Sequence, residues 1–389
     1  MSAIFGVFRN EFSRIFTLRP AFATLILATC LYAAFYPQPY VNEALRDLPI
    51  AIVDHDGTLG SQELARRVDA TSDVAITMAL PDLATAQHEV YARNISGILF
   101  IPQYFERDLL HGRPSPVALY ADASYFLAYQ RINGGVGAVA RTFGIEVETA
   151  RLIAAGVDPA IAAAAADPMP LTSVALFNPQ GGYATYVLPA AFILLVQQTL
   201  LIGVGLLGTL PGGRFGTREG QAATAGPFAI VFGKLLTYLL LEAVVLPFYL
   251  IILPYLYGLP RLGSASHILI FAIPFVLAVG GFGMVVAAIF RKPIAVQLTF
   301  AAVGLPFFFL AGFAWPPESI PHAIRDAATL LPSSEAIDGL VKISQLGAPL
   351  FDARNQFLTL WALAFLYGGL ALALEYRDRR RLQPNSAAA

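Results

Sequence analysis

The sequence predicts a polytopic α-helical membrane protein of six transmembrane helices, with an α/β domain inserted between the first and second. Three observations predict it. Of 389 residues, 57% are hydrophobic and 13% charged, and mean hydropathy is +0.63, whereas a soluble chain carries about 45–50% apolar and about 25% charged residues. Six apolar stretches approach the roughly 20 residues that a bilayer-crossing helix requires. The long polar interval 38–178 alternates short β-rich runs with helical patterns. A net charge of −1 supplies no basic field for a nucleic-acid partner. The five histidines are scattered, so no metal site is expected, and the single cysteine, Cys30, excludes an intramolecular disulfide.

Residues 1–19 read as an amphipathic helix on the inner membrane surface, with Ile4, Phe5, Phe8, Phe12, Ile15 and Phe16 apolar and Arg9, Asn10 and Arg14 polar. The first span, 20–37, is short and follows Arg9, Arg14 and Arg19, so a cleaved signal peptide competes with an uncleaved anchor. LATC, ending at Cys30, resembles a lipoprotein cleavage box. Thr29 fits that box poorly, however, and the apolar run continues through Tyr36 with further spans downstream. The anchor is expected.

Five more spans are predicted at 183–210, 229–257, 267–290, 294–314 and 355–375. Cytoplasmic ends are rich in Lys and Arg. With the N-terminus inside, those ends hold Arg214 and Arg218, Arg291 and Lys292, and Arg377, Arg379, Arg380 and Arg381. The outer segment 315–354 carries Arg325, Lys342 and Arg354, which blunts the rule there. The expected topology places both termini, the 211–228 loop and the 376–389 tail in the cytoplasm, residues 38–178 outside, and the protein in a bacterial inner membrane. Pro247, Pro254, Pro274 and Pro306 should bend their helices, which neighbouring helices make tolerable.

Within the polar interval, 49–53, 74–80, 97–101 and 116–120 read as strands and the stretches between them as helices. Residues 124–166 are Ala-rich and helical in propensity, and 174–177 (VALF) is a candidate last strand. IAIVDHDGTL (50–59) carries Asp-x-Asp-Gly-Thr after a strand, the nucleophile motif of haloacid-dehalogenase-type phosphatases. That chemistry needs a nearby cation and a second acidic cluster. No lysine precedes Lys234 and no paired aspartates follow in the domain. A turn shaped by Asp and Gly, with Thr58 or Ser61 capping the next helix, is the reading favoured over an ecto-phosphatase using Asp54. Asp54, His55 and Asp56 also fail the EF-hand spacing.

Two segments carry a resemblance. GTREGQAATAGPFAIVFGKLLTYLL (216–240) resembles the cytoplasmic loop of type-2 ABC exporter permeases through Gly216, Thr217, Glu219, Thr224, Gly233 and Lys234. It departs at Gln221 and Ala222, where leucines are usual, and at Pro227, which does not directly follow Thr224. FFFLAGFAWPPESIPHAIRDAATLLPSSEAIDGL (307–340) matches the family's pattern after span five at Phe309, Leu310, Gly312, Pro316, Pro321, Pro332 and Asp338. The fold it resembles is the six-span subgroup with a large extracytoplasmic α/β domain. The resemblance implies a dimer with a second copy or paralogue, an ABC ATPase subunit as partner, and in some systems a periplasmic adaptor protein. The chain itself lacks G-x-x-x-x-G-K-[ST], so ATP and Mg would be used on the partner and no cofactor is expected here.

By that resemblance, Gly216, Thr217, Arg218, Glu219 and Thr224 form an ATPase-coupling loop, residues 1–19 an elbow helix, and 315–354 a re-entrant amphipathic outer gate entered at the interfacial Trp315. Lys234 is expected to snorkel to headgroups. Glu242, Gln197 and Gln198 are the polar candidates inside the membrane. A buried charge there costs about 2.5–3.5 kcal/mol on insertion scales, so Glu242 should face protein or a water-filled path. The glutamines suit bonds across the bundle. The function expected is export of a hydrophobic or amphipathic substrate; the alternative is a membrane-anchored receptor or scaffold whose outer domain binds a partner.

Overall fold

The computed structural model describes residues 2–41, 44–179, 181–213, 225–313, 315 and 317–382. The chain forms two compact units, Ala44–Val174 and the remainder. It begins with helix α1 (Ser2–Thr17) and then the first of six helices long and apolar enough to cross a membrane, Arg19–Tyr40.

The Ala44–Val174 unit is built on a four-stranded sheet, β1 (Leu48–Asp54), β2 (Val74–Ala79), β3 (Gly97–Ile101) and β4 (Ala118–Ala121), in the order β2-β1-β3-β4. β1 pairs in parallel with β2 and β3, and β4 runs antiparallel to β3. The crossovers are α2 (Leu59–Asp69) and α3 (Leu83–Tyr91), followed by α4 (Phe105–Leu110), the long α5 (Phe126–Ala154) and α6 (Pro159–Ala166). The period-2 alternation of β1 divides its side chains between two cores. Ile50 and Ile52 pack with Leu64, Val68, Ile132 and Phe143, while Ala51 and Val53 meet Ala86 and Ile98 on the other face. A central strand buried on both faces explains the uninterrupted apolar run of β1.

The Asp-x-Asp-Gly-Thr segment is a turn. Asp54 Oδ1 accepts from the amides of Asp56 and Gly57, and Ser61 Oγ donates to its Oδ2 at 2.6 Å. Gly57 takes the positive φ of +63° that the turn needs. Thr58 caps α2 by accepting from the Ser61 amide, and Asp56 accepts from the Thr58 hydroxyl and the Glu106 amide. Val174–Phe177 is not a strand, contrary to the sequence expectation. Val174 and Leu176 are exposed, and Phe177 has a φ of +63°, which breaks extended geometry. Asn178 then ties the chain into a turn through reciprocal bonds with Gly182.

The remaining spans are Tyr183–Thr209, Pro227–Leu256, Ala265–Phe290, Pro293–Leu310 and Arg354–Arg380. Span two is the central post, with 78% of its apolar stretch buried; span four follows at 67%, and span five, at 17%, is peripheral. Small residues set these approaches. Gly205 and Gly208 of span two lie against Val296 and Ala287, and Gly281 of span four lies against the backbone of Gly368 in span six. Pro189, Pro274 and Pro306 sit inside their helices, and span three opens into a π-helical turn, Phe248–Ile252, directly after Pro247. A second π-helical turn, Ala23–Ala28, lies in span one. Between spans five and six run a 3₁₀ turn (Pro317–Ser319), α7 (His322–Ala328) and α8 (Pro332–Ser344).

A methyl at Gly281 would meet backbone and Cβ atoms 3.0–3.1 Å away, whereas one at Gly369 on the exposed face of span six meets nothing within 4 Å. Gly281→Ala should therefore destabilise the bundle by about 1–3 kcal/mol. Gly369→Ala should be neutral or stabilising by up to about 1 kcal/mol, both measured by thermal unfolding in detergent. In the sheet unit, burial works to raise the Asp56 carboxyl, but bonds from Thr58 and the amides of Glu106, Tyr104 and Phe105 outweigh it and hold it below the ordinary aspartate range. A depressed folded value stabilises fully above about pH 3.9 and is lost as pH falls through it. Amide exchange across residues 48–110 should accelerate on acidification below that pH, and Asp56→Asn should flatten the response.

Candidate functional site

Helix α1 turns Val7, Glu11, Arg14 and Ile15, one helical face, into the bundle. Its phenylalanines Phe5, Phe8, Phe12 and Phe16 form a ladder of ring contacts on another face, stacked over the first three and tilted at the last, with Phe5 and Phe16 exposed. The polar residues are thus divided. Arg9 is exposed, but Arg14 is buried, because it has partners inside.

Glu11, 1% exposed, is the centre of a polar cluster. Arg14 Nη1 donates to its Oε2 at 2.5 Å, the Tyr238 hydroxyl donates to its Oε1 at 2.8 Å, and Lys234 Nζ lies 3.8 Å from that oxygen. Arg14 Nη2 also donates to the carbonyls of Leu207 (2.8 Å) and Pro211 (3.1 Å), and Lys234 Nζ donates to the carbonyl of Gly213. The Leu207 carbonyl lies in the last turn of span two, which ends at Thr209, and those of Pro211 and Gly213 lie in the turn that follows it. A helix leaves its last carbonyls without internal partners and carries partial negative charge at that end. Two cations over that end and one carboxylate between them satisfy hydrogen bonds and field together. Thr237 Oγ1 adds a bond to the Phe8 carbonyl, and Gly233 allows α1 to approach within contact of span three. Lys234 is therefore 5% exposed and does not snorkel, since its ammonium is turned inward to the Gly213 carbonyl and Glu11.

The cluster borders the segment in which the coupling loop is expected. Gly216, Thr217, Arg218, Glu219 and Thr224 lie outside the described residues. On their N-terminal side the chain is held at Pro211 and Gly213; on their C-terminal side Arg379 of span six donates to the Ala225 carbonyl. Arg291 and Asp378 pair at 3.6 Å at the same end of the bundle.

At the opposite end, α8 packs Pro332, Ser333, Ala336, Ile337, Gly339, Leu340 and Ile343 into the core formed by spans two and four, with Gly339 against the Phe271 ring. Hydrogen bonds at its two ends hold it in place. Gln345 Nε2 donates to the Thr185 carbonyl at 2.5 Å, the amides of Leu262 and Gly263 donate to the Ser344 carbonyl, and Tyr367 donates to the Leu330 carbonyl at 2.6 Å. Of the predicted gate residues, Pro332 is buried at the start of α8 and Pro321 precedes α7. Gly312 takes a φ of +80° just beyond span five, Leu310 is half-buried and Phe309 is exposed. Asp338 is exposed and accepts from Lys342 (2.7 Å) and Gln356 (2.6 Å), while Pro316 lies outside the described residues.

Between the ends, Gln197 Nε2 donates to Ser333 Oγ at 2.9 Å and Gln198 Nε2 to the Phe300 carbonyl at 2.7 Å, linking span two to α8 and to span five. Glu242 is 2% exposed, and its Oε2 is buried without a hydrogen-bond partner. Lys234, Tyr238, Glu242 and Tyr249 fall on one buried stripe of span three, and Tyr249 donates to the Thr29 carbonyl at 2.6 Å. The sequence reading missed Glu11 and Tyr238. The signal available was this spacing of 4, 4 and 7 residues, together with a lone glutamate three residues before Arg14.

A family model described as ABC-2 family transporter protein matches residues 21–373. The linearmycin resistance permease protein LnrN of Bacillus subtilis (strain 168) is 22% identical over 365 residues, covering 90% of this chain and 94% of its own length.

Removing the carboxylate of Glu11 strands two buried cations. Glu11→Gln should therefore destabilise by about 3–5 kcal/mol, and Arg9→Gln, at an exposed position, by less than about 0.5 kcal/mol. Adding Lys234→Met to Glu11→Gln should cost less than the sum of the single changes. Thermal unfolding of the purified chain in detergent measures all four.

Proposed function

Because the chain belongs to the ABC-2 family of transporter proteins, a multi-pass permease family that implies an ATPase partner subunit, we propose that it is the permease of an ABC exporter. In this reading it moves a hydrophobic or amphipathic molecule out across a bacterial inner membrane. The α1 end of the bundle is cytoplasmic, and the Ala44–Val174 unit lies outside.

One observation carries the proposal. The chain is anchored on both sides of residues 214–224, at Pro211 and Gly213 by the Glu11 cluster and at Ala225 by Arg379. A segment fixed at both ends to spans two, three and six and to α1 is suited to pass a push from an ATPase into several helices at once. Glu219 and its neighbours would meet that subunit, which binds ATP and Mg. Helix α8, seated among the ends of spans two, four and six, would close the path at its outer end. A second permease copy or paralogue would complete the path, and the outer unit offers a place for an adaptor protein. The relative's name refers to linearmycin resistance, which supports outward movement of a harmful compound.

The chain should co-purify with an ABC ATPase and raise its hydrolysis. Glu219→Ala combined with shortening of 214–224 should abolish that stimulation. ATP-dependent flux into inverted vesicles is the expected readout of export; a bound ATPase without flux would favour a membrane-anchored scaffold instead.

A further inference from the structure

Spans three and four part on one side to leave a cleft of about 330 Å³, lined by Leu239, Ala243, Leu246 and Pro247 of span three and by Ile270 and Ile273 of span four. Its volume lies at the lower end of small-ligand sites. The walls are aliphatic, and Ile270 and Ile273 are partly exposed, so the cleft opens sideways from the bundle. Glu242 is part of its lining. Its carboxylate is almost fully buried, Oε2 has no hydrogen-bond partner, and among the described residues no base pairs with it. Lys234, two turns away on the same stripe, is engaged with the Gly213 carbonyl and Glu11.

The cleft-lining residue Ala243 carries a second acceptor. Pro247 sits inside the helix and has no N–H, so the carbonyl of Ala243, four residues back, loses its ordinary helical donor. Carboxylate and carbonyl both accept, and the surrounding wall supplies aliphatic carbon alone. A buried carboxylate is stable only when paired or neutralised. The missing chemical element is a cationic donor carried on an apolar body.

We propose that this cleft is a binding site for a lipid-soluble organic cation, an amphiphile bearing a protonated amine, whose ammonium donates to Glu242 while its hydrocarbon part lies against Leu239, Leu246, Ile270 and Ile273. The proposal rests on the permease reading for its meaning as a substrate class, but the binding itself is testable without transport.

Radiolabelled dodecylamine, with dodecanol as the uncharged probe, should be titrated against the full chain in nanodiscs, with empty nanodiscs as background. The chain should bind the amine in preference to the alcohol. Glu242→Gln should weaken amine binding by about tenfold or more, the scale of a hydrogen bond to a charged group, and leave alcohol binding unchanged. Glu242→Gln should also unfold at the same or a higher temperature, because an unpaired buried carboxylate is removed. Ala243→Phe, which fills the cleft and leaves the carboxylate in place, should block the amine independently. Equal amine binding by wild type and both variants, or no preference for amine over alcohol, would overturn the proposal. Stimulation of the partner ATPase, measured without amine, separates the two readings: its absence in the wild-type complex counts against the permease and leaves the amine result standing.

Discussion

A helix that ends inside a protein leaves carbonyl oxygens that something must bind, and here Arg14 and Lys234 bind those of the last turn of span two and of the turn beyond it. Much of the bundle's α1 end follows from that requirement. Two cations in a low-dielectric setting need a counter-charge, and Glu11 supplies it; Glu11 needs a further donor, and Tyr238 supplies that. Because the four side chains come from α1 and span three while the carbonyls come from span two and the turn after it, satisfying one set of backbone groups fixes three elements against one another. The same rule operates elsewhere in the bundle. Gln198, Tyr249, Tyr367 and Gln345 each direct a side-chain donor at a backbone carbonyl of another element, as a bilayer without water demands.

Burial divides the spans by role. Spans two and four, rich in glycine and alanine at their contacts, approach their neighbours closely and form the dense centre. Spans one and three carry the π-helical turns, and span three adds Pro247 beside Glu242. The widened turns therefore lie in less buried helices, where an irregular backbone displaces fewer packed side chains. A π-turn in an otherwise α-helical span is frequent at functional sites, and the one in span three follows directly on the cleft that holds the unpaired carboxylate.

The six apolar helices were legible because length and hydropathy are local properties, and β1 was legible because a two-sided core demands a continuous apolar run. The turn at Asp54 was legible because Asp, Gly and Thr satisfy their neighbours' backbone groups within a few residues. The Glu11 cluster was not. Its partners lie as far as 227 residues apart in sequence, and the one local signal, a lone glutamate three residues before Arg14, does not name the partners that draw the pair inward. Reading α1 as a simple surface helix grouped Arg14 with Arg9, although a single turn and a half separates a buried ion from an exposed one. Lys234 misled for a related reason: a lysine near a span terminus commonly reaches outward, and only the position of the Gly213 carbonyl reverses that direction. Val174–Phe177 has strand composition, but its backbone turns out of extended geometry at Phe177.

The distance in sequence between Glu11 and Tyr238 also sets a timetable. Helix α1 emerges from the ribosome ahead of its partners in span three, which follow about 225 residues later; at 5–20 residues per second, that is roughly 10–45 s. During that interval Arg14 and Glu11, three residues apart on one helix, can pair with each other, so the young helix carries little net charge on the face that must later enter the bundle. Docking of α1 is then a late event in biogenesis, possible only once the end of span two and the start of span three have both been delivered.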